Sequence, residues 1–456
     1  MAYTGLSAQR QALDVLSQNI AHANDPTYKR QRLVMVEGLP LAQSQEAGSG
    51  VSMVGSGVQT GDVQRVRDAL IESRLQEAGN ASSQYDFMYN NLSQIEAAIG
   101  EPGDNGLQTD LDAFWASWSK VATTPTSVSI RNSLLDDTQT LCSRIQYVYN
   151  QISSAGDDLN MTAVNDVKSI NSMTTEIASI NRQLTAIPSG TPQANDLLNR
   201  RDGLVQDISK LASISQYGET GGDFVISLGG RVLVQGTVAN QLKTVVGADG
   251  DQEIQWADDS SNVIIQGGEM RALLDLRDSI IPSYLSQMNS FTSTLVSTVN
   301  ALHTTGKTMD NADGGDFFLA GSTAATIQLD PTVVDQPRLI AASGSGAVDN
   351  CDIAKRIGAL KETPDAVTGM TINGIYRALV GNIGSDVSTS KKQSEASNLS
   401  YQQFQTQQQS ISGVSLDEEM TNMIKFQQAY NACSRVLTVM DEMLSTLIDK
   451  TGTVGR

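Results

Sequence analysis

The chain has 456 residues, 50 of them acidic and 31 basic, for a formal net charge of −19. That length holds two to four domains and an ample core. The acidic balance weighs against nucleic acid or an anionic membrane as partner, since both need clustered Lys and Arg. No apolar run approaches the roughly 18 residues of a membrane span. The first residues have neither the basic flank nor the apolar stretch of a Sec-type export signal.

The helical pattern begins at once. Residues 4 to 23 are predicted as one helix, with Ala2, Leu6, Gln9, Leu13, Leu16 and Ile20 repeating along one stripe and the cluster His22, Asn24, Asp25, Pro26 ending it. Residues 32 to 36 suit a short strand, and Gly48 to Gly61 a loop or irregular extended arm. A helical run is expected over 62 to 99 (Val63, Val66, Leu70, Leu92, Ile95, Ile99), stopped by Gly100-Glu101-Pro102-Gly103. Another is expected near 108 to 122, with Leu111, Phe114, Trp115, Trp118 and Val121. The next starts near Ser129 and passes Leu134, Ile145 and Ile152. A separate helix is predicted over 160 to 187 (Val167, Ile170, Met173, Ile177, Ile180, Leu184, Ile187), and a further one over 193 to 213. Connections this short favour antiparallel neighbours in a bundle.

The period changes from 3.6 to 2 near residue 222. Two β-branched runs, 224–228 and 231–234, flank Gly229-Gly230 and predict a hairpin with a two-residue turn. Shorter strand-like runs follow at 241–246, 252–256 and 262–266, so 214–268 is expected to form a small antiparallel β domain. Its hairpin is expected to bury its apolar face on its own later strands, so that deleting 216–266 would leave a soluble helical protein. Helical pattern returns at 269–303, then a mixed region runs to about 364. From 365 to 449 the chain is helical again, broken at Ser412-Gly413, and nearly all Ser, Gln and Asn between Ser388 and Gln409.

The last helix carries a heptad seam at Met423, Phe426, Tyr430, Cys433, Leu437, Met440, Leu444 and Leu447. The simplest mate for that stripe is the one on the first helix, Leu6, Leu13, Leu16 and Ile20 above all. Ser415 with Glu418 has the spacing of a capping box at its start, and Gly413 permits a backbone reversal before it. The expected fold class is mainly α with an inserted β domain. Its units are a terminal coiled coil (1–40 with 412–456), a long helix bundle (41–213 with 269–411) and the insertion (214–268).

These terminal segments resemble a known family. Leu6-Ser7-Ala8-Gln9-Arg10-Gln11-Ala12-Leu13, Asn19-Ile20-Ala21-His22-Ala23-Asn24 and Tyr28-Lys29-Arg30 are similar to the N-terminal signature of the axial proteins of the bacterial flagellum. Ser412 to Met420, Gln427 to Ala432 and Arg435-Val436-Leu437 are similar to their C-terminal signature. Within that family the helical bundle, Phe224 to Gly236, Gly315-Asp316-Phe317-Phe318 and Asp349-Asn350 resemble the first hook-associated protein, the subunit of the hook–filament junction. The resemblance implies export through the flagellar type III channel without a cleaved signal, and a chaperone on the C-terminal helix. It further implies assembly with copies of itself, with hook protein and with other hook-associated proteins. Leu437, Met440, Leu444 and Leu447 would then pack into the inner tube wall.

Chemistry is thinly represented. Cys142, Cys351 and Cys433 form no C-x-x-C and read as small buried hydrophobes. Two histidines, His22 and His303, support no H-E-x-x-H, and no G-x-S-x-G is present. Asp310, Asp313 and Asp316 lack the closing Glu of a calcium loop, and Trp115 with Trp118 at helical spacing reads as core. No enzyme, cofactor or metal is therefore expected. Two rival readings remain: hook protein or another rod or hook axial subunit, for which a mainly β middle would be expected, and a secreted hydrolase or adhesin carried on a flagellar-type export frame.

Overall fold

A computed structural model describes the chain except residues 26, 39–40, 44–51, 55, 102, 104–105, 219–222, 249, 348, 366–368 and 452–456. Pro26, Pro102 and part of the expected 48–61 arm lie outside the described residues. Helix α1 spans Ala2–Ala21, and strand β1 (Gln31–Glu37) follows. Strands β2 (Leu41–Gln43) and β3 (Ser52–Val54) pair with each other, and β4 (Val58–Arg65) pairs antiparallel with β1, Gln31 opposite Arg65.

The expected helical run from residue 62 therefore starts later. Val63 lies in β4, where its N–H reaches Gly190 O at 2.8 Å and its carbonyl accepts from Asn195 at 2.8 Å. Helix α2 (Ala69–Ile99) begins where Asp68 caps it, its carboxylate accepting from the N–H groups of Leu70 and Ile71. It ends at Gly100, whose φ of 69° is left-handed. Helix α3 spans Leu107–Thr123.

Helix α4 is one unbroken helix, Val128–Ala186, where two were expected. The polar stretch from Ser153 to Asp158 interrupts the apolar stripe but contains no proline. Gly156 costs only about 1 kcal/mol in a helix interior, which tertiary packing overrides. At 1.5 Å per residue the helix is about 90 Å long, and it is the spine of the molecule. Helix α5 (Pro192–Leu211) starts from a Thr191 cap with proline at its first position.

The insertion contains strands β5 (Ile214–Tyr217), β6 (Val225–Leu228), β7 (Arg231–Gln235) and β8 (Val238–Ala239) in one sheet, and β9 (Leu242–Val246) paired with β10 (Gln252–Trp256). Gly229 and Gly230 turn the predicted hairpin with φ of 57° and 84°, a pairing only glycine adopts without strain. The run 262–266 forms no strand, contributing only a single pairing of Asn262 with Gln255.

Helix α6 (Glu269–Asp275) passes through one π turn, Leu276–Ile280, into α7 (Ile281–His303). Pro282 has no N–H to give Asp278, and the wider turn, with Ile281 N–H on Leu276 O, absorbs the misfit. Short helices α8 (Pro331–Asp335) and α9 (Asp352–Gly358) precede the long α10 (Ile372–Ser412) and α11 (Leu416–Thr451). Gly413 has ordinary extended backbone (φ −73°, ψ 157°), so no reversal through the left-handed region occurs there. Glycine is needed for space, because a Cβ would stand 2.3 Å from Gln409 O.

Two cores lie along α4. The larger joins its first half to α3, α7, α9 and the start of α10, and Phe114, Trp115, Trp118, Phe317, Phe318 and Tyr376 are buried in it. The second packs Val167, Ile170, Ile177 and Ile180 of α4 with Leu204, Val205 and Ile208 of α5 against Phe224, Ile226, Leu228, Leu233 and Trp256. The apolar face of the insertion is thus covered by helices as well as by its own later strands, Leu242, Ile254 and Trp256 among them. Three asparagines spaced three turns apart on α4 stitch it down: Asn160 to Gln252, Asn171 to Leu242 and Asn181 to Gly236, all on backbone atoms at 2.7–3.0 Å. The Ser/Gln/Asn-rich part of α10 lies along α2 through a polar seam. There Asn398 and Ser394 both donate to Asp86, Ser82 donates to Asn398, and Tyr401 packs on Gly79.

Candidate assembly interface

Helices α1 and α11 lie side by side and antiparallel. Gly5 approaches Cys433 so closely that a Cβ would stand 3.2 Å from its Sγ, and Asn19 meets Glu419 at the other end. Of the first-helix stripe, Leu16 is buried and Leu6, Leu13 and Ile20 are half-buried. The deepest line of α1 runs instead through Ala8, Ala12, Val15, Leu16 and Asn19. Three of these five are small or polar, so hydrophobicity alone did not single them out. Close helix approach needs small residues more than large ones.

Along α11, Met423, Phe426, Tyr430, Cys433 and Leu437 are half-buried on the rod. The seam continues toward the C-terminus with its side chains exposed. Met440, Leu444 and Leu447 are 57%, 58% and 62% exposed, and Met443 and Ile448 stand open beside them. Every side chain described from Thr438 to Lys450 is exposed, over a length of about 20 Å.

The base of the rod is held by a buried polar clasp between the two chain ends. Asn19 is fully buried; its Nδ2 donates to Gln31 O and to Glu419 Oε2 at 2.9 Å, while its Oδ1 accepts from Gln31 N–H and from the Tyr28 hydroxyl, also at 2.9 Å. Glu419, fully buried as well, places Oε1 2.8 Å from Arg30 Nε. Arg30 Nη1 reaches Glu418 Oε2 at 2.8 Å, so Glu418 serves the opposite terminus, a role its capping-box spacing did not suggest. Ser415 sits just before α11, its carbonyl accepting from Glu419 N–H. The Arg30 backbone completes the joint: its N–H donates to Ser412 O and its carbonyl accepts from Val66 N–H, both at 2.8 Å.

A second charge cluster fastens this base to the helical body. Lys29 pairs with Glu72 of α2 and, at 3.4 Å, with Asp202 of α5; Arg65 pairs with Asp202 at 2.7 Å, and Arg67 with Glu72 at 3.2 Å. Burial alone would raise the Asp202 carboxyl, but Arg65, Lys29 and Arg201 outweigh it and hold Asp202 below the usual carboxylate range. Burial, then the negative charges of Asp196 and Glu419, push the Tyr28 phenol well above its ordinary value, so it remains a donor to Asn19.

Nothing in this arrangement poises a nucleophile against a base. His22 stacks on Tyr28 at 4.8 Å, Cys142 is buried with its thiol pushed up to about 12 by burial, and Asp310 and Asp313 pair with Arg338 and Lys307. Among the described residues no cluster of three metal-ligating side chains occurs, and no helix is long and apolar enough to cross a membrane. Trp115 and Trp118 are core, as their spacing predicted.

Comparison with known proteins decides the family. Residues 92–318 match the model of the flagellar hook-associated protein FlgK helical domain, and residues 404–450 that of the flagellar basal body rod FlgEFG protein C-terminal region. The chain is 28% identical over 505 aligned residues to flagellar hook-associated protein 1 of Bacillus subtilis, covering 100% of this chain and 98% of that protein. It belongs to the flagellar hook-associated protein 1 family. The Salmonella typhimurium and Escherichia coli members are 25% and 24% identical, each over 98% of both chains. The fold of the hook junction protein FlgK from Burkholderia pseudomallei superimposes with a TM-score of 0.65 at 16% identity, over 74% of this chain and 100% of that one. The FlgK helical-domain match takes in the second core and much of the larger one, and the C-terminal match takes in Glu418 and Glu419 of the clasp. Asn19 and Glu419 entered the sequence reading only as members of the terminal signatures, and Gln31 not at all. Their only signal was polarity at positions flanked by an amphipathic stripe.

Proposed function

We propose that this chain is a structural subunit of the bacterial flagellum that joins hook to filament and assembles through its terminal rod. The observation that carries this reading is the apolar stripe of α11, which continues through Met440, Leu444 and Ile448, all exposed. An apolar stripe of that length is costly in water and is covered when copies pack side by side. Family membership supports the same reading: the curated relatives are flagellar hook-associated proteins, which places the chain outside the cell, in the flagellum. It acts as a structural element and not as an enzyme. Its partners are further copies of itself, hook protein and other hook-associated proteins, and an export chaperone covers the C-terminal helix during passage through the type III channel.

The functional division follows from this. The ends, 1–40 with 412–456, form the tube-facing unit and 41–213 with 269–411 the helical body. Residues 214–268 form a β unit seated on α4 and α5. Leu6, Leu13, Leu16, Ile20, Met423, Phe426, Tyr430, Cys433 and Leu437 hold the rod together, Met440, Leu444 and Leu447 meet neighbouring copies, and Ser415 with Glu418 starts α11.

Electron microscopy of flagella from a strain lacking the gene tests the assignment. Hooks without filaments, with filament subunit shed into the medium, are expected; complete filaments would refute it. A residue-level test separates rod from assembly. Leu444→Asp is expected to leave the monomer's melting temperature unchanged, because the side chain is 58% exposed there, while blocking incorporation by several kcal/mol of charge burial. Leu437→Asp, half-buried against α1, is expected to block incorporation and also to loosen the rod. Normal incorporation of Leu444→Asp would show that the exposed seam is not an assembly surface.

A further inference from the structure

His303 closes α7 with a side chain of zero exposure, and both of its ring nitrogens are engaged. Nδ1 lies 2.7 Å from Gly315 O, so it must carry the proton and donate. Nε2 lies 2.8 Å from the Ala341 nitrogen and accepts that N–H. The neutral ring with hydrogen on Nδ1 is the one protonation state that satisfies both contacts. It thereby ties together two separate stretches of the mixed region that follows α7. That region is folded tightly on the ring: a Cβ at Gly314 would stand 2.3 Å from His303 O, and one at Gly306 2.9 Å from the Ala341 Cβ. Between the two ties lie Phe317 and Phe318, fully buried in the main core. Asn300 holds them from the previous turn of α7 by accepting from both of their N–H groups and donating to Phe318 O.

We propose that His303 is an acid-release latch for the segment 304–343: neutral, it holds Gly315 and Ala341 together, and protonated, it lets the Ala341 stretch go. A proton on Nε2 would set its N–H against the Ala341 N–H, turning an attraction into a donor–donor clash. The charged groups around the ring do not cancel this. Arg131 of α4, whose guanidinium donates to Ile340 O next to Ala341, adds a like charge that opposes protonation. Asp316 on the loop favours it. Lys307–Asp313 and Arg338–Asp310 on the same segment are paired with each other, and Asp352 at the start of α9 accepts from Gly344 N–H. Burial is the largest influence and pushes the imidazole down to about 4, against the ordinary 6.5 of an exposed ring. The base is therefore neutral in the closed segment over a range where the open segment would bind a proton. The latch is fully effective above pH 6.5 and weakens by up to tenfold per pH unit as pH falls from 6.5 to about 4.

Hydrogen exchange of the full-length chain between pH 7 and 4, corrected for intrinsic exchange, tests this. Peptides from 304–343 are expected to lose protection by more than tenfold below pH 5.5 while those from α4 keep theirs. In His303→Gln, whose amide offers one donor and one acceptor and does not titrate, the pH dependence is expected to vanish. Equal pH dependence in the two proteins, unchanged wild-type protection at pH 4, or simultaneous loss across α4 would overturn the latch. A second measurement is independent of whether the variant folds. With only two histidines in the chain, His-labelled protein gives two resolvable ring signals. The His303 ring is expected to keep hydrogen on Nδ1 and to titrate below 5; an ordinary titration of that ring near 6.5 would overturn the proposal.

Discussion

Glu419→Ala is expected to loosen the two chain ends from each other at the base of the rod. Glu419 is fully buried, and its carboxylate is shared between Asn19 Nδ2 and Arg30 Nε. Removing it strands a buried amide hydrogen and takes from the half-buried Arg30 guanidinium one of its two carboxylates, Glu418 remaining. Leaving a buried donor unsatisfied in this way costs about 1–3 kcal/mol. The ends are otherwise joined here by Arg30 on Glu418, half-buried apolar side chains and two backbone hydrogen bonds of Arg30, while Lys29, Arg65 and Arg67 hold the base to the body, so the loss should loosen the ends without freeing the base. The readout is protease cleavage: sites near 22–30 and 412–418 should open, while the body melts at its original temperature. Glu419→Gln keeps an acceptor for Asn19 but not the charge for Arg30, and its effect should be smaller. Arg30→Ala leaves Glu419 with Asn19 alone and should fall closer to the alanine variant. Unchanged protease resistance in Glu419→Ala would mean that the seam, not the clasp, holds the ends together.

Deleting residues 216–266 is expected to unfold the second core, contrary to what the pattern of the insertion alone suggests. Phe224, Ile226, Leu228, Leu233 and Trp256 form one apolar cluster with Val167, Ile170 and Ile177 of α4 and Leu204, Val205 and Ile208 of α5. Without the strands, that face of both helices is bared to water. The Arg201 guanidinium, 3.8 Å above the Phe224 ring and bonded to Asn181, would lose the surface it stacks on. A single substitution gives the graded version: Phe224→Ala should cost about 3–5 kcal/mol from cavity formation and the lost ring contact. Thermal melting should show the half of the molecule around α5 unfolding separately and early, with the α3–α7 core intact. A deletion variant that melts as one cooperative unit at the original temperature would show that α4 and α5 can close over the gap.

Much of this molecule was legible in its pattern, and the reason is local. Most stretches that the 3.6 period marked are helical, because a stripe of apolar residues fixes which face must be buried whatever buries it. The Gly229-Gly230 hairpin was readable because a two-residue turn needs left-handed backbone that glycine supplies. Trp115 and Trp118 were readable as core from spacing alone. The terminal signatures were legible as a pair because both carry seams without enough polar residues to stand alone.

What the sequence by itself left open are the features that depend on which surfaces meet. That 128–186 is one helix, and not two, follows from two separate cores lying along it; a polar stretch at Ser153–Asp158 falls between them and looks like a break only when the cores are unseen. That Val63 belongs to a strand depends on β1 offering its edge, which no local propensity records. The dependence of the insertion on α4 was invisible because asparagines at 160, 171 and 181 look like solvated helix surface until strand backbone is laid across them. The clasp is the clearest case. Asn19, Arg30 and Glu419 are ordinary polar residues in sequence, and they become a buried lock only because the fold brings together positions 400 residues apart, where low dielectric makes satisfied polar contacts strong and unsatisfied ones costly.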